Sequence, residues 1–166
     1  ASLALRSGDV GALGYYLDHN RVHLVDPDTA TSQLLAAWQT DRNTGLDAIM
    51  LAPTRDQVAQ LNAAARQSRL AGHRAGRETA LADGNQASCG DTVLTRRNDR
   101  TLISGALAWV RNGDLWTVTH VHHDGSLDVQ HLRNHNRLTL PPDYVQESVE
   151  LGYATTIHTA QGVTAD

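Results

Sequence analysis

The chain has 166 residues, of which 40% are hydrophobic, so it can bury a core in one or two domains, and its formal net charge is −4. That balance excludes nucleic-acid binding by bulk charge, and the single cysteine, Cys89, excludes an internal disulfide and fits a reducing cytoplasm or indifference to redox. No signal peptide is visible and no apolar run reaches the roughly 18 residues of a membrane span, so a cytoplasmic protein with no membrane partner is expected.

Residues 1–45 read as helical. "LALRSGDVGALGYYLDH" carries Leu3, Leu5, Val10, Leu13, Tyr16 and Leu17, broken by Gly8, Gly11 and Gly14, which predicts two short helices with a turn at Ser7-Gly8-Asp9. In "DTATSQLLAAWQTDRNTG", Asp28 or Thr29 is the expected N-cap. Leu34, Leu35 and Trp38 share a face there, and Gly45 is the expected stop.

"LDAIMLAPTRDQVAQLNAAARQSRLAG" reads as strand, tight loop and capped helix. Leu46 to Leu51 is an apolar run of the kind buried on both faces of a parallel sheet, and Pro53 ends it. Thr54 and Gln57 have capping-box spacing, and Val58, Leu61 and Ala65 line one face of the next helix. The loop of such an α/β unit lies at the carboxyl edge of the sheet, where ligands bind. Gly72 to Ser88 reads as a linker, with a further helix over Arg77 to Ala82.

From Cys89 the pattern alternates. Leu115 to His122 and Leu127 to Leu132 read as strands around an Asp124-Gly125 hairpin turn. Asn134-His135-Asn136 turns into Arg137 to Leu140, and Pro141-Pro142 leaves the sheet. This spacing predicts a small SH3-like barrel of roughly 60 residues. Val149 to Ala154 returns to an apolar strand and Thr156 caps a new helix, so the barrel reads as an insertion.

Three stretches in this order carry a resemblance: "LAPTRDQVAQLNAAAR", "GDTVLTRRND…WVRNGDLWTV" and "ELGYATTIHTAQGVTAD". Together they resemble the C-terminal RecA-like half of superfamily 1 helicases of the RecD-like branch, above all the helicase part of conjugative relaxases of the TraA/TrwC/TraI (MobF) kind. The most specific is "YATTIHTAQG", which is similar to helicase motif V. "LAPTR" resembles the segment carrying motif IV, and "NGD" the SH3-like insertion. The resemblance implies an α/β fold: a partial RecA-like parallel sheet with helices, of the P-loop NTPase type but lacking the P-loop, plus an inserted small SH3-like β-barrel. The implied division is 1–88 for the helical segment and first RecA-like part, 89–148 for the barrel, and 149–166 for the return to the RecA-like domain.

The resemblance also implies site residues. Arg55 becomes the candidate for stabilising charge on a transferring phosphate; its other reading is a surface pair at a helix start. Thr156 and His158 become candidates for the backbone of single-stranded DNA, with His158 also able to stack on a base; a capping Thr and a His packed on the sheet are the alternative. Gln161 and Gly162 resemble residues beside the nucleotide. Arg96, Arg97, Arg100 and Arg111, with Trp109 and Trp116 near, suggest a stacking and phosphate surface, although both Trp side chains also suit a barrel core. Acidic residues around them, Asp91 among them, blunt that surface.

His120, His122, His123, His131 and His135 read as polar alternation on a solvated hairpin rather than a metal site, and Tyr15 and Tyr16 as helix packing. A chain without lysine has no G-x-x-x-x-G-K-[ST] loop, so ATP and magnesium are expected to serve the parent protein and not to bind this segment tightly. The opening Ala1 and the stop within a motif lead us to expect a fragment of an ATP-driven DNA translocase, inert alone. Its expected partners are single-stranded DNA, held weakly, and the remaining helicase and relaxase domains. The competing reading is a non-catalytic SH3-like protein-interaction module on an α/β base; a self-sufficient enzyme ranks last, because no nucleophile–base pair is visible.

Overall fold

The computed structural model describes residues 2–46, 48–104 and 108–160. Two units divide the chain, Ala1–Gln33 and Leu34–Asp166. The first holds α1 (Ser2–Arg6) and α2 (Ala12–Asp18), joined by the expected turn, where Gly8 takes φ +82°. Tyr15 meets Tyr16 edge-on and stacks on His19 at 4.1 Å. A third helix, α3 (Pro27–Asn43), starts ahead of the expected caps: Asp26 accepts the Asp28 N–H at 2.9 Å, and both Asp28 and Thr29 lie inside the helix. Proline suits such a first turn because the N–H it lacks would have no helical partner.

From Leu34 onward α3 belongs to the second unit, where Leu35 and Trp38 pack on the core and Leu34 stays exposed. The Trp38 indole N–H donates to the Ala48 carbonyl at 2.9 Å. The helix ends before Gly45, whose φ of +88° lets the chain reverse without strain.

The expected strand over Leu46 to Leu51 is shorter and later. It is β1 (Met50–Ala52), and Leu51 remains 44% exposed between buried Met50 and Ala52. One face of this strand is covered and the other is not, against the expectation of burial on both. Then comes α4 (Arg55–Leu70), which buries Leu61, Asn62 and Ala65.

The expected helix over Arg77 to Ala82 is instead a hairpin of β2 (Glu78–Ala80) and β3 (Gln86–Ser88). Leu81 donates to the Asn85 carbonyl across its turn, and Gly84 supplies a φ of +78°. Turn residues between two short runs won over helix propensity.

The remaining strands are β4 (Thr92–Thr95), β5 (Asp99–Ser104), β6 (Ala108–Val110), β7 (Leu115–Val121), β8 (Leu127–His131), β9 (Arg137–Leu140), β10 (Val149–Leu151) and β11 (Ala154–Thr156). Five of them form a sheet in the order β10-β4-β7-β8-β9, antiparallel throughout. Both predicted turns are present: His135 takes φ +56° and Gly125 φ +89°. The expected barrel is not closed: among the described residues β10 and β9 stay at opposite edges of the sheet, and β5–β6 form a ladder of their own. Trp116, Val118, Val129, Leu127 and Leu140 from this sheet form the centre of the core, all at most 1% exposed.

After Pro141-Pro142 the chain forms α5 (Pro142–Ser148), a helix that the sequence reading passed over. Tyr144 on α5 donates to the Arg97 carbonyl, and burial pushes its hydroxyl pKa up to about 12. From α5 the chain enters β10, antiparallel to β4. It crosses at Gly152-Tyr153 into β11, which pairs with β1 in parallel. That crossing is tight. A Cβ on Gly152 would lie 2.9 Å from the Val93 carbonyl carbon and 2.9 Å from Leu115 Cδ2.

Candidate functional site

The parallel pair β1–β11 brings two loops to one edge. Ala52 is in register with Thr156, and the Ile157 N–H donates to the Ala52 carbonyl at 3.2 Å. Both strands therefore end together, and the chain leaves each at the carboxyl edge, the side of α/β sheets that presents ligand-binding loops.

On the β1 side, Thr54 is the N-cap of α4 and its hydroxyl accepts the Gln57 N–H at 3.3 Å. Gln57 turns its own side chain to that hydroxyl at 3.1 Å, so half of the predicted capping box forms. Arg55 is the first residue of α4 and is exposed, with no hydrogen-bond or ion-pair partner among the described residues. A cation at a helix start gains nothing from the helix dipole.

On the β11 side, the Thr156 hydroxyl is 2.8 Å from that of Thr159 and accepts the Thr159 N–H at 3.4 Å. The Thr156 carbonyl accepts the Ala160 N–H at 3.0 Å, closing one helical turn. Thr156 thus caps a turn, and His158 is exposed on it, not packed on the sheet. Gln161 and Gly162 lie outside the described residues.

The arginine surface splits. Arg96 pairs with Glu150 at 3.3 Å, and Arg97 with Glu147 at 3.0 Å while lying over the Tyr144 ring. Both are thereby tied to β10 and α5. Arg100 and Arg111 instead lie over the half-buried Trp109, 5.4 and 5.2 Å from its ring centre, on the β5–β6 ladder. Trp116 is core alone, fully buried. Among the described residues no hydrogen bond or ion pair joins this ladder to Thr156 or His158.

The histidines divide between partners. His122 lies 3.0 Å from Asp128 and meets the His120 ring at 4.7 Å, and His123 accepts from Arg77 at 2.9 Å. Among the described residues no group of three side chains suited to a metal ion forms.

Three residues that hold the site together were missed by the sequence reading. Asp91, expected on an exposed acidic surface, is fully buried. One carboxylate oxygen accepts from Tyr153 (2.6 Å) and Arg69 (2.8 Å), the other from the Ser88 N–H and hydroxyl (2.7 and 3.0 Å) and Arg66 (3.1 Å). Burial alone would raise its pKa; the bonds from Tyr153, Ser88 and Arg69 outweigh that and hold it below the ordinary carboxylate value. Burial, then the bond to Asp91, push the Tyr153 hydroxyl pKa well up. Asn62 is the third: its side chain accepts the Ala154 N–H at 2.8 Å and donates to the carbonyls of Leu151 (3.2 Å) and Ala154 (3.4 Å). Arg66 and Arg69, three apart, share one face of α4, a spacing that shows a paired cationic face but not the carboxylate it meets.

The chain is similar to a conjugal transfer protein. Over 140 residues it is 29% identical to the conjugal transfer protein TraA of Agrobacterium fabrum (strain C58 / ATCC 33970). The match covers 82% of this chain and 12% of TraA, so the chain spans about an eighth of that protein's length. No family model matches the chain. No helix among the described residues is long and apolar enough to cross a membrane.

Proposed function

We propose that this chain is a stretch of the ATP-driven DNA helicase of a conjugative relaxase, from a RecA-like half that supplies one wall of the nucleotide cleft and a section of the single-strand path. The observation that carries this reading is the parallel β1–β11 pair. It brings Thr54-Arg55 and Thr156–His158 to one carboxyl edge, and the chain's similarity to TraA gives that edge a conjugal setting.

In this reading Arg55, without a partner among the described residues, is the cation for a nucleotide's terminal phosphate, and Gln161 and Gly162 stand beside the nucleotide. Thr156 and His158 take the DNA backbone. Trp109 with Arg100 and Arg111 is a second contact for the strand, to which Arg96 and Arg97 add cations already shared with carboxylates. The edge offers a guanidinium, hydroxyls and an imidazole, donors that suit phosphate oxygens. No carboxylate among these residues would hold magnesium, so the metal and the P-loop belong to the rest of the parent protein.

Two measurements test this. With short single-stranded DNA added to the chain, amide shifts are expected at Thr156, His158 and Arg100. In the parent protein, Arg55→Ala is expected to cut DNA-stimulated ATP turnover by about 10³-fold while DNA binding persists. Silent amides at saturating DNA, together with unchanged turnover, would overturn the reading in favour of a protein-interaction module.

A further inference from the structure

The strand that ends at Thr156 has too little ladder to hold itself. β11 is three residues long and, among the described residues, pairs on one side only, with a β1 of three residues. Short two-stranded pairs are marginal in water. The Met50 N–H donates to the Tyr153 carbonyl and the Ile157 N–H to Ala52, so alternate residues of β11 turn their peptide groups toward β1. The peptide groups of Ala154 therefore face away from β1. There the Asn62 amide accepts the Ala154 N–H and donates to its carbonyl, taking the place of a neighbouring strand's peptide.

One residue earlier, the Tyr153 hydroxyl is bound to Asp91, which Arg66, Arg69 and Ser88 hold in turn. Asn62, Arg66 and Arg69 all lie on α4, whose first residue is Arg55. One helix thus carries the exposed arginine of the edge and the groups that clamp the strand beside it.

We propose that Asn62 and Tyr153 are positioning residues that fix the Thr156–Ala160 turn relative to Arg55, with Asp91 as the anchor of Tyr153. This rests on the reading of that turn as a ligand contact. Packing alone would hold the turn through Met50 and Ala154, both buried; positioning by hydrogen bonds makes it sensitive to one hydroxyl.

Amide hydrogen exchange on the chain separates the two. Tyr153→Phe keeps the ring and its edge-on contact with Trp38 and removes only the hydroxyl. Exchange at Ile157, Thr159 and Ala160 is expected to rise about tenfold, the loss of one bond to a charged acceptor, while Val118 and Val129 keep their protection. Asn62→Ala is expected to raise the same amides and Ala154. Unchanged exchange at residues 157–160, or an equal rise at every amide, would overturn the proposal. In the parent protein Tyr153→Phe is expected to lower the kcat of DNA-stimulated ATP turnover and leave the ATP KM in place. A local rise in exchange, with turnover indifferent to both Tyr153→Phe and Arg55→Ala, would uphold the positioning and sink the ligand reading.

Discussion

The Tyr153 hydroxyl donates to Asp91 across 2.6 Å, and this one bond ties the crossing into β11 to a carboxylate shut away from water. It sets limits on stability at both ends of the pH scale. Asp91 has a folded pKa below its ordinary 3.8, so its contribution is complete above that value and is lost as pH falls through the folded one. The Tyr153 pKa lies above the ordinary 10.0, so its contribution is complete below pH 10 and is lost as pH rises through the folded value. Urea midpoints are expected to fall as pH drops below the ordinary carboxylate range and as it rises above about pH 10. Tyr153→Phe should soften the alkaline fall, leaving the part due to Tyr144, whose pKa is about 12. An alkaline limb identical in the variant and the parent chain would contradict this.

Removing the anchor should cost far more than removing an outer partner. Asp91→Ala leaves Arg69 without its carboxylate, whereas Arg66 keeps Glu78. Breaking a buried pair from one side costs about 3 kcal/mol, and losing a surface pair about 1 kcal/mol or less. Urea unfolding of Asp91→Ala and Glu78→Gln, read side by side, is expected to show that order; equal losses would mean that the burial of Asp91 is not what gives it weight.

Gly152→Ala is expected to destabilise by about 1–3 kcal/mol, because two of the three atoms that a new methyl would meet belong to the backbone of Val93 and Leu94 and cannot swing aside. Gly113→Ala is a contrast, since its Cβ meets nothing within 4 Å and only its φ of +97° opposes the change. Thermal unfolding of the two variants, with a larger drop for Gly152, checks the close packing of the crossing.

Under the proposed reading, Arg100→Ala on β5 and Arg111→Ala just past β6 are each expected to weaken single-stranded DNA binding and to lower the salt slope by about 1. Trp109→Ala is expected to cost about 1–3 kcal/mol in affinity with the slope nearly kept, because stacking releases no counterions. Titrations at several salt concentrations check this, and a Trp109 variant that binds DNA as well as the parent chain would remove the ladder from the strand path.

Much of the fold was legible locally. Thr54 with Gln57 announced the start of α4, Asp124-Gly125 the β7–β8 turn, and Gly45 the end of α3. The failures share a cause. Arg77 to Ala82 read as a further helix within a linker, yet ladder bonds from Glu78–Ala80 to Gln86–Ser88 decided its state. Leu46 to Leu51 promised a strand buried on both faces, but pairing with β11, its one neighbour among the described residues, gave three residues with one side open. Asp91 looked like surface charge because its partners come from a helix some twenty residues earlier and a tyrosine some sixty later, a convergence that periodicity does not report. At the site, the family resemblance singled out Arg55, Thr156 and His158; it was blind to Asn62, which bonds backbone groups about ninety residues on, and to Tyr153, whose hydroxyl meets a carboxylate about sixty residues back.

The parallel pairing of Met50–Ala52 with Ala154–Thr156 joins positions roughly a hundred residues apart, with the whole five-stranded sheet strung between them. Closing so long a loop is entropically dear until the intervening sheet has shortened it. Loop entropy therefore favours an order of assembly with the hairpins first, the two short strands afterwards and the turn after β11 last. In a nascent polypeptide, the edge bearing Arg55 would stay unfinished until the sequence from Tyr153 onward emerged to complete it.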